Sequence, residues 1–154
     1  MLCFLERSIL SNKPEVKISP LTPERGMMAR TLVEVGEKKY EVFTYDTRKS
    51  MDPVTFEFWS AVLADFPFET CVYSCVPANT PYTSIEQKLA ELVPINSEVR
   101  RNIELGDLYV SRSTTEDAAA LEHDNVIQEF KDDTIILMTQ EERAAVFGPG
   151  KLFQ

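Results

Sequence analysis

The segment TLVEVGEKKYEVFTY, running from Thr31 to Tyr45, decides the fold class. Both of its halves are rich in β-branched and aromatic residues, which suit a pleated and partly buried surface. Gly36-Glu37 between them fits a tight turn with glycine at its first position. The segment therefore predicts a β-hairpin over 31–45. In its first strand Val33 and Val35 share one face. In its second, Tyr40, Val42 and Thr44 alternate with Glu41, Phe43 and Tyr45, so neither face is plainly the solvent face and both are expected to be covered or partnered.

Upstream, SNKPEVKISPLTPERG (11–26) places Pro14, Pro20 and Pro23 so that no helix runs through it and the chain favours extended structure. Residues 1–26 read as an N-terminal arm. Leu2, Phe4, Leu5, Ile9 and Leu10 are apolar enough that the arm is expected to pack on the body or on another subunit.

Downstream, Asp52-Pro53 offers a helix N-cap followed by proline at the first helical position, and Pro67 stops the helix after Asp65. Val54, Phe56, Phe58, Trp59, Val62, Leu63 and Phe66 spread over half its circumference, wider than the stripe of an ordinary surface helix. This helix is expected to be central or bound to a partner. FETCVYSCV (Phe68 to Val76) reads as a strand, and Thr83-x-x-Glu86 with Ser84-x-x-Gln87 are overlapping capping boxes ahead of Ile85, Leu89, Leu92 and Val93. A short helix over 97–105, closed by Gly106, then leads to a strand from Asp107 to Arg112. Ser113-x-x-Glu116 predicts a helix as far as His123. NVIQEF and TIILMT predict a second hairpin over 125–139, turned at Lys131-Asp132-Asp133, and Thr139-x-x-Glu142 opens a last short helix. Hairpins and helices mix without regular β-α-β alternation. The expected architecture is α+β: a single compact domain over 27–154, its mainly antiparallel sheet built from the two hairpins, with three to five helices.

The 154 residues hold 16 Lys plus Arg against 25 Asp plus Glu, a formal charge of −9. The excess is local: residues 1–50 carry +2, residues 51–103 carry −4 and residues 104–154 carry −7. So acidic a chain lacks the clustered cations that displace counterions from a polyanion, which argues against direct nucleic-acid binding and against anionic membranes. No segment reads as a secretory leader or as a membrane span, so a soluble, cytoplasmic protein is expected.

The single histidine, His123, excludes a multi-histidine zinc centre or a histidine pair supplied by this chain. Placed at the end of its predicted helix beside Glu122 and Asp124, its imidazolium would be favoured, and it reads as structural or solvent-facing. The odd set Cys3, Cys71 and Cys75 gives no disulfide framework and suits a reducing compartment, with Cys71 and Cys75 as buried small residues. The five glycines form neither a dinucleotide nor a P-loop spacing.

No catalytic, cofactor or metal residues are assigned. The leading expectation is a non-enzymatic interaction module, an acidic adaptor or inhibitor docking on a basic protein surface and imitating nucleic-acid charge. Its candidate contacts are Glu116, Asp117, Glu122, Asp124, Glu129, Asp132 and Asp133, with Phe56 and Trp59 as aromatic contacts. The alternative is a structural subunit of a larger assembly, such as a viral or phage particle component, or a homo-oligomer. A third reading is a divalent-metal hydrolase assembled from carboxylates such as Glu104, Asp107, Glu129, Asp132 and Asp133.

Overall fold

A computed structural model describes residues 14–24, 26–50, 54, 57, 64–77, 79–84, 86–88, 99–102, 105–138 and 142. The expected hairpin stands at its centre. Strands β2 (Met27–Val35) and β3 (Lys38–Asp46) pair antiparallel, with Val35 opposite Lys38 across a turn of Gly36 and Glu37. Gly36 has φ 61°, a left-handed backbone that favours glycine. The strands reach beyond the predicted limits, with a register shift between Met27 and Ala29.

Three more strands complete one open antiparallel sheet in the order β1-β2-β3-β4-β5. Strand β1 (Val16–Pro20) lies in the predicted arm and pairs with β2, so the extended conformation dictated by the prolines becomes an edge strand. Lys17 and the terminal Pro20 suit an edge, where charge and a missing N–H discourage further pairing. Strand β4 (Phe68–Ser74) follows a four-residue helix α1 (Thr47–Ser50) and a segment in which Val54 and Glu57 are helical. Strand β5 (Asp107–Ser113) forms the far side.

Helix α2 (Glu116–Asp132) covers one face of the sheet, and its extent corrects the second predicted hairpin. Asn125 to Phe130 are not a strand but the second half of this helix. The buried positions Ala119, His123, Val126, Ile127 and Phe130 recur every three to four residues, and this spacing outweighs the strand preference of the Val126-Ile127 pair. The expected turn at Lys131-Asp132-Asp133 is the helix terminus. Asp133 takes φ 56° and ψ 38°, and its N–H caps the carbonyls of Glu129 and Phe130. Residues 134–138 are not a strand either, although the Met138 N–H donates to the Leu108 carbonyl at 2.8 Å beside β5.

Two further boundaries move. The N-cap is Thr115, whose side chain accepts from the Ala118 N–H at 3.1 Å, because Ser113 is taken by the end of β5. The short helix expected over 97–105 is absent at residues 99–102. There Arg101 bridges Cys75, and the Asn102 N–H donates to Ser74 at 2.7 Å, extending the sheet instead. The capping box at Thr83 and Glu86 is present, with reciprocal bonds of 3.3 and 3.2 Å, while the body of the helix it opens, at 89–93, lies outside the described residues. So do Phe56 and Trp59 and all but Glu142 of the last predicted helix. Val54, counted in the wide apolar face, is 77% exposed.

The core under α2 is small and aliphatic. Val42 of β3 stands opposite Val72 of β4, and Val33 of β2, opposite Tyr40, shares their face beneath Val126, Ile127 and Phe130. Phe130 meets Tyr40 with ring centroids 5.2 Å apart. Burying such side chains contributes roughly 1.5–3 kcal/mol each.

Candidate functional site

Helix α2 places the seven predicted carboxylates on one element. Its first turn carries Glu116 and Asp117, where the N-terminal end of the helix dipole favours negative charge. Glu116, Asp117, Asp124, Asp132 and Asp133 are exposed. Glu122 and Glu129 are half-buried at the flank, and Glu122 accepts a 2.7 Å hydrogen bond from the Tyr109 hydroxyl. Burial and this bond push the Tyr109 phenol up to about 12. Lys131 is the one basic residue in the helix, and Gln128 donates to Asp132 at 3.0 Å.

The outward face follows from helical spacing. Asp117, Leu121, Asp124, Gln128 and Asp132 point away from the sheet, opposite the buried set. Leu121, one turn from Asp117 and from Asp124 and Asn125, is 61% exposed. Asp132 and Asp133 stand at the C-terminal end, where the dipole disfavours carboxylates. Asp133 is tolerated there as the left-handed cap and Asp132 is engaged by Gln128, so the dipole cost is only partly offset by local contacts.

His123 does not lie at a helix end. It sits in the middle of α2, 4% exposed, with Nε2 2.9 Å from Thr31 Oγ1 on β2 and Nδ1 2.9 Å from Thr44 Oγ1 on β3. Thr44 Oγ1 is in turn 2.8 Å from Thr70 Oγ1 on β4. Burial lowers the imidazole from its ordinary value, with Asp124 pulling weakly the other way, so the ring is held neutral. The imidazolium favoured by the sequence neighbours gives way to desolvation, and the ring is committed to the threonines rather than to a nucleophile.

The opposite face of the sheet carries a charged network that local sequence patterns did not assign. Glu41, fully buried, accepts from Arg30 Nε at 3.1 Å and Nη2 at 2.9 Å, and its other oxygen accepts from Arg101 Nε. Arg101 also reaches Glu24 at 3.3 Å and lies 4.7 Å from the centre of the Phe43 ring. Nearer β5, Glu69 accepts from the Tyr45 hydroxyl at 2.9 Å, the Cys71 thiol at 3.2 Å and Arg112 at 3.4 Å. Burial pushes the Cys71 thiol far up, and pushes Cys75 up to about 12, so neither is poised as a thiolate. The one available clue was the alternation in β3, where Glu41 occupies a strand expected to be covered on both faces.

Among the described residues, no three His, Cys, Asp or Glu side chains are grouped to hold a metal ion, and no helix is long and apolar enough to cross a membrane. Glu129, Asp132 and Asp133 lie on or at the end of α2, Asp107 starts β5, and Glu104 is outside the described residues. Searches of protein-family models, curated proteins and solved structures returned no match.

Proposed function

We propose that this chain is a protein-protein interaction module whose acidic helix α2 docks on a basic partner surface, as an adaptor or as an inhibitor of a surface that otherwise binds a polyanion. One observation carries the reading: seven carboxylates against one lysine, collected on and at the end of a single helix, with exposed Leu121 on its outward face. Fields of one sign steer complementary partners and fix orientation, while an apolar side chain within them gives a desolvated anchor.

The test is affinity capture by the full chain and by the variant Asp117→Asn/Asp124→Asn/Asp132→Asn, with the bound proteins identified by mass spectrometry. Basic proteins held by the wild type and lost from the variant are expected. The same set on both would overturn the reading.

A subunit role in a larger assembly is the second reading. It is supported by Ile136, 84% exposed, and Val110, 42% exposed, apolar side chains on the segment after α2 and on β5. A strictly monomeric protein at high concentration would count against self-assembly.

A further inference from the structure

We infer that His123 is an acid-sensitive latch: taking up a proton on its imidazole releases helix α2 from the sheet. The inference is independent of the docking proposal above, since it concerns how the helix is held and not what it binds.

Beneath α2, beside the aliphatic core and the flanking Tyr109–Glu122 bond, lies one buried polar cluster that spans three strands. His123 is the sole titratable side chain on the buried stripe of α2, between Ala119 and Ile127. Its two ring nitrogens engage β2 and β3 through Thr31 and Thr44, and Thr44 passes the contact on to β4 through Thr70. A neutral imidazole fits this arrangement, because one nitrogen donates, the other accepts, and threonine hydroxyls rotate to either role. An imidazolium must donate from both nitrogens. The hydroxyls can accept those bonds, but they carry no net charge to offset a buried cation.

The charged and titratable groups around the latch do not supply that offset. On α2 itself, Asp124 is the next residue but is exposed, and Glu122 is engaged by Tyr109. On β2 the nearest charge is Arg30, which points to the opposite face and pairs with Glu41. On β3, Asp46 shares the face of Thr44 by strand alternation, but both of its oxygens accept from Arg48. On β4 the helix-facing residues are Phe68, Thr70 and Val72, while Glu69 lies on the other face. On β5, Tyr109 and Ser111 face the helix without charge. The lowered proton affinity of the ring in place agrees with this count.

When the helix lifts, the imidazole meets water and regains its ordinary value of 6.5. The open state then binds more proton than the closed one between the lowered closed-state value and 6.5, so opening becomes easier as pH falls through that interval. The slope is confined to the interval between the lowered closed-state value and 6.5, and its ceiling, one full proton, is about a tenfold rise in the opening constant per pH unit.

Amide hydrogen exchange of the full chain from neutral pH down to the start of the carboxylate range tests this, after correction for intrinsic exchange. The expected result is a rise in opening of the amides of residues 119–130 as pH falls below 6.5, with a slope of at most about tenfold per unit that levels off at the lowered closed-state value, and with the centres of β2 and β3 changing less. In His123→Gln, which keeps a donor and an acceptor but takes up no proton, the slope should vanish. Should that variant fail to fold, the imidazole C–H resonances of the wild type provide the second reading, and they must titrate below 6.5 in the closed state. A flat response of the helix amides, an equal slope in β2 and β3, the same slope in His123→Gln, or an imidazole titrating at its ordinary value would each overturn the latch.

Discussion

Arg30 Nη2 lies 2.9 Å from Glu41 Oε2, diagonally across the β2–β3 hairpin, and both side chains are almost wholly out of solvent. Glu41 also accepts from Arg101, so one buried carboxylate is shared by two guanidinium groups, with the half-exposed Glu24 reaching both from the outside. Removing one member of a buried charge network costs far more than the net value of the network, because the remaining charges stay desolvated. Glu41→Ala is therefore expected to lose about 3–5 kcal/mol in urea denaturation. A loss below about 1 kcal/mol would show that water replaces the carboxylate freely.

The helix start offers a finer test. Thr115, and not Ser113, accepts the Ala118 N–H. Thr115→Ala should cost about 1 kcal/mol, the usual loss for a missing N-cap. Circular dichroism during denaturation should show Ser113→Ala leaving the helix unaffected. The reverse ranking would place the cap where the local sequence pattern first put it.

These two sites show what the sequence made legible. The turn at Gly36-Glu37 fixes the hairpin register, and that register already sets Arg30 and Glu41 on one face as diagonal neighbours. Arg101 joins them from 60 residues further along the chain, a contact that no local pattern announces. The acidic residues are legible individually in the sequence, but their arrangement on one helix is not. The β-branched pair Val126-Ile127 suggested a strand and split the acids between a helix and a hairpin. Spacing from Ala119 through His123 to Phe130 was the stronger signal. His123 follows the same logic: a helix cut short at residue 123 puts it at the end, and the full helix puts it in the middle.

Acid should act on stability in two separate intervals. His123 has a lowered value in the folded state, so its neutral form contributes stability that begins to be lost as pH falls below 6.5. Asp46 is lowered chiefly by its hydrogen bond from Arg48, and Glu86 chiefly by that from Arg100. Their contributions are present above the ordinary values of 3.8 and 4.5, and are lost as pH falls below them toward the depressed folded values. Equilibrium denaturation against pH should show both intervals in the wild type and only the lower one in His123→Gln. A single loss confined to the carboxylate range would remove the histidine contribution.

Thr44 is the branch point of the buried polar cluster, 2.9 Å from His123 Nδ1 and 2.8 Å from Thr70. Thr44→Val keeps the shape and the β-branch but leaves the imidazole nitrogen and the Thr70 hydroxyl without this partner. A loss of roughly 1–3 kcal/mol is expected, the range for an orphaned buried polar group. Thr31→Val should cost a similar amount through Nε2. Thermal melts of the two variants would expose an error if both matched the wild type.

The docking proposal stands or falls on electrostatics at α2. The most direct measurement is calorimetric titration of a partner recovered by affinity capture against the wild type and against Asp117→Asn/Asp124→Asn/Asp132→Asn, each from low to high salt. Exposed charges are screened by salt, so wild-type affinity should fall steeply as salt rises. The variant should bind weakly with little salt dependence. Binding that is insensitive both to salt and to the three substitutions would contradict an acidic docking helix.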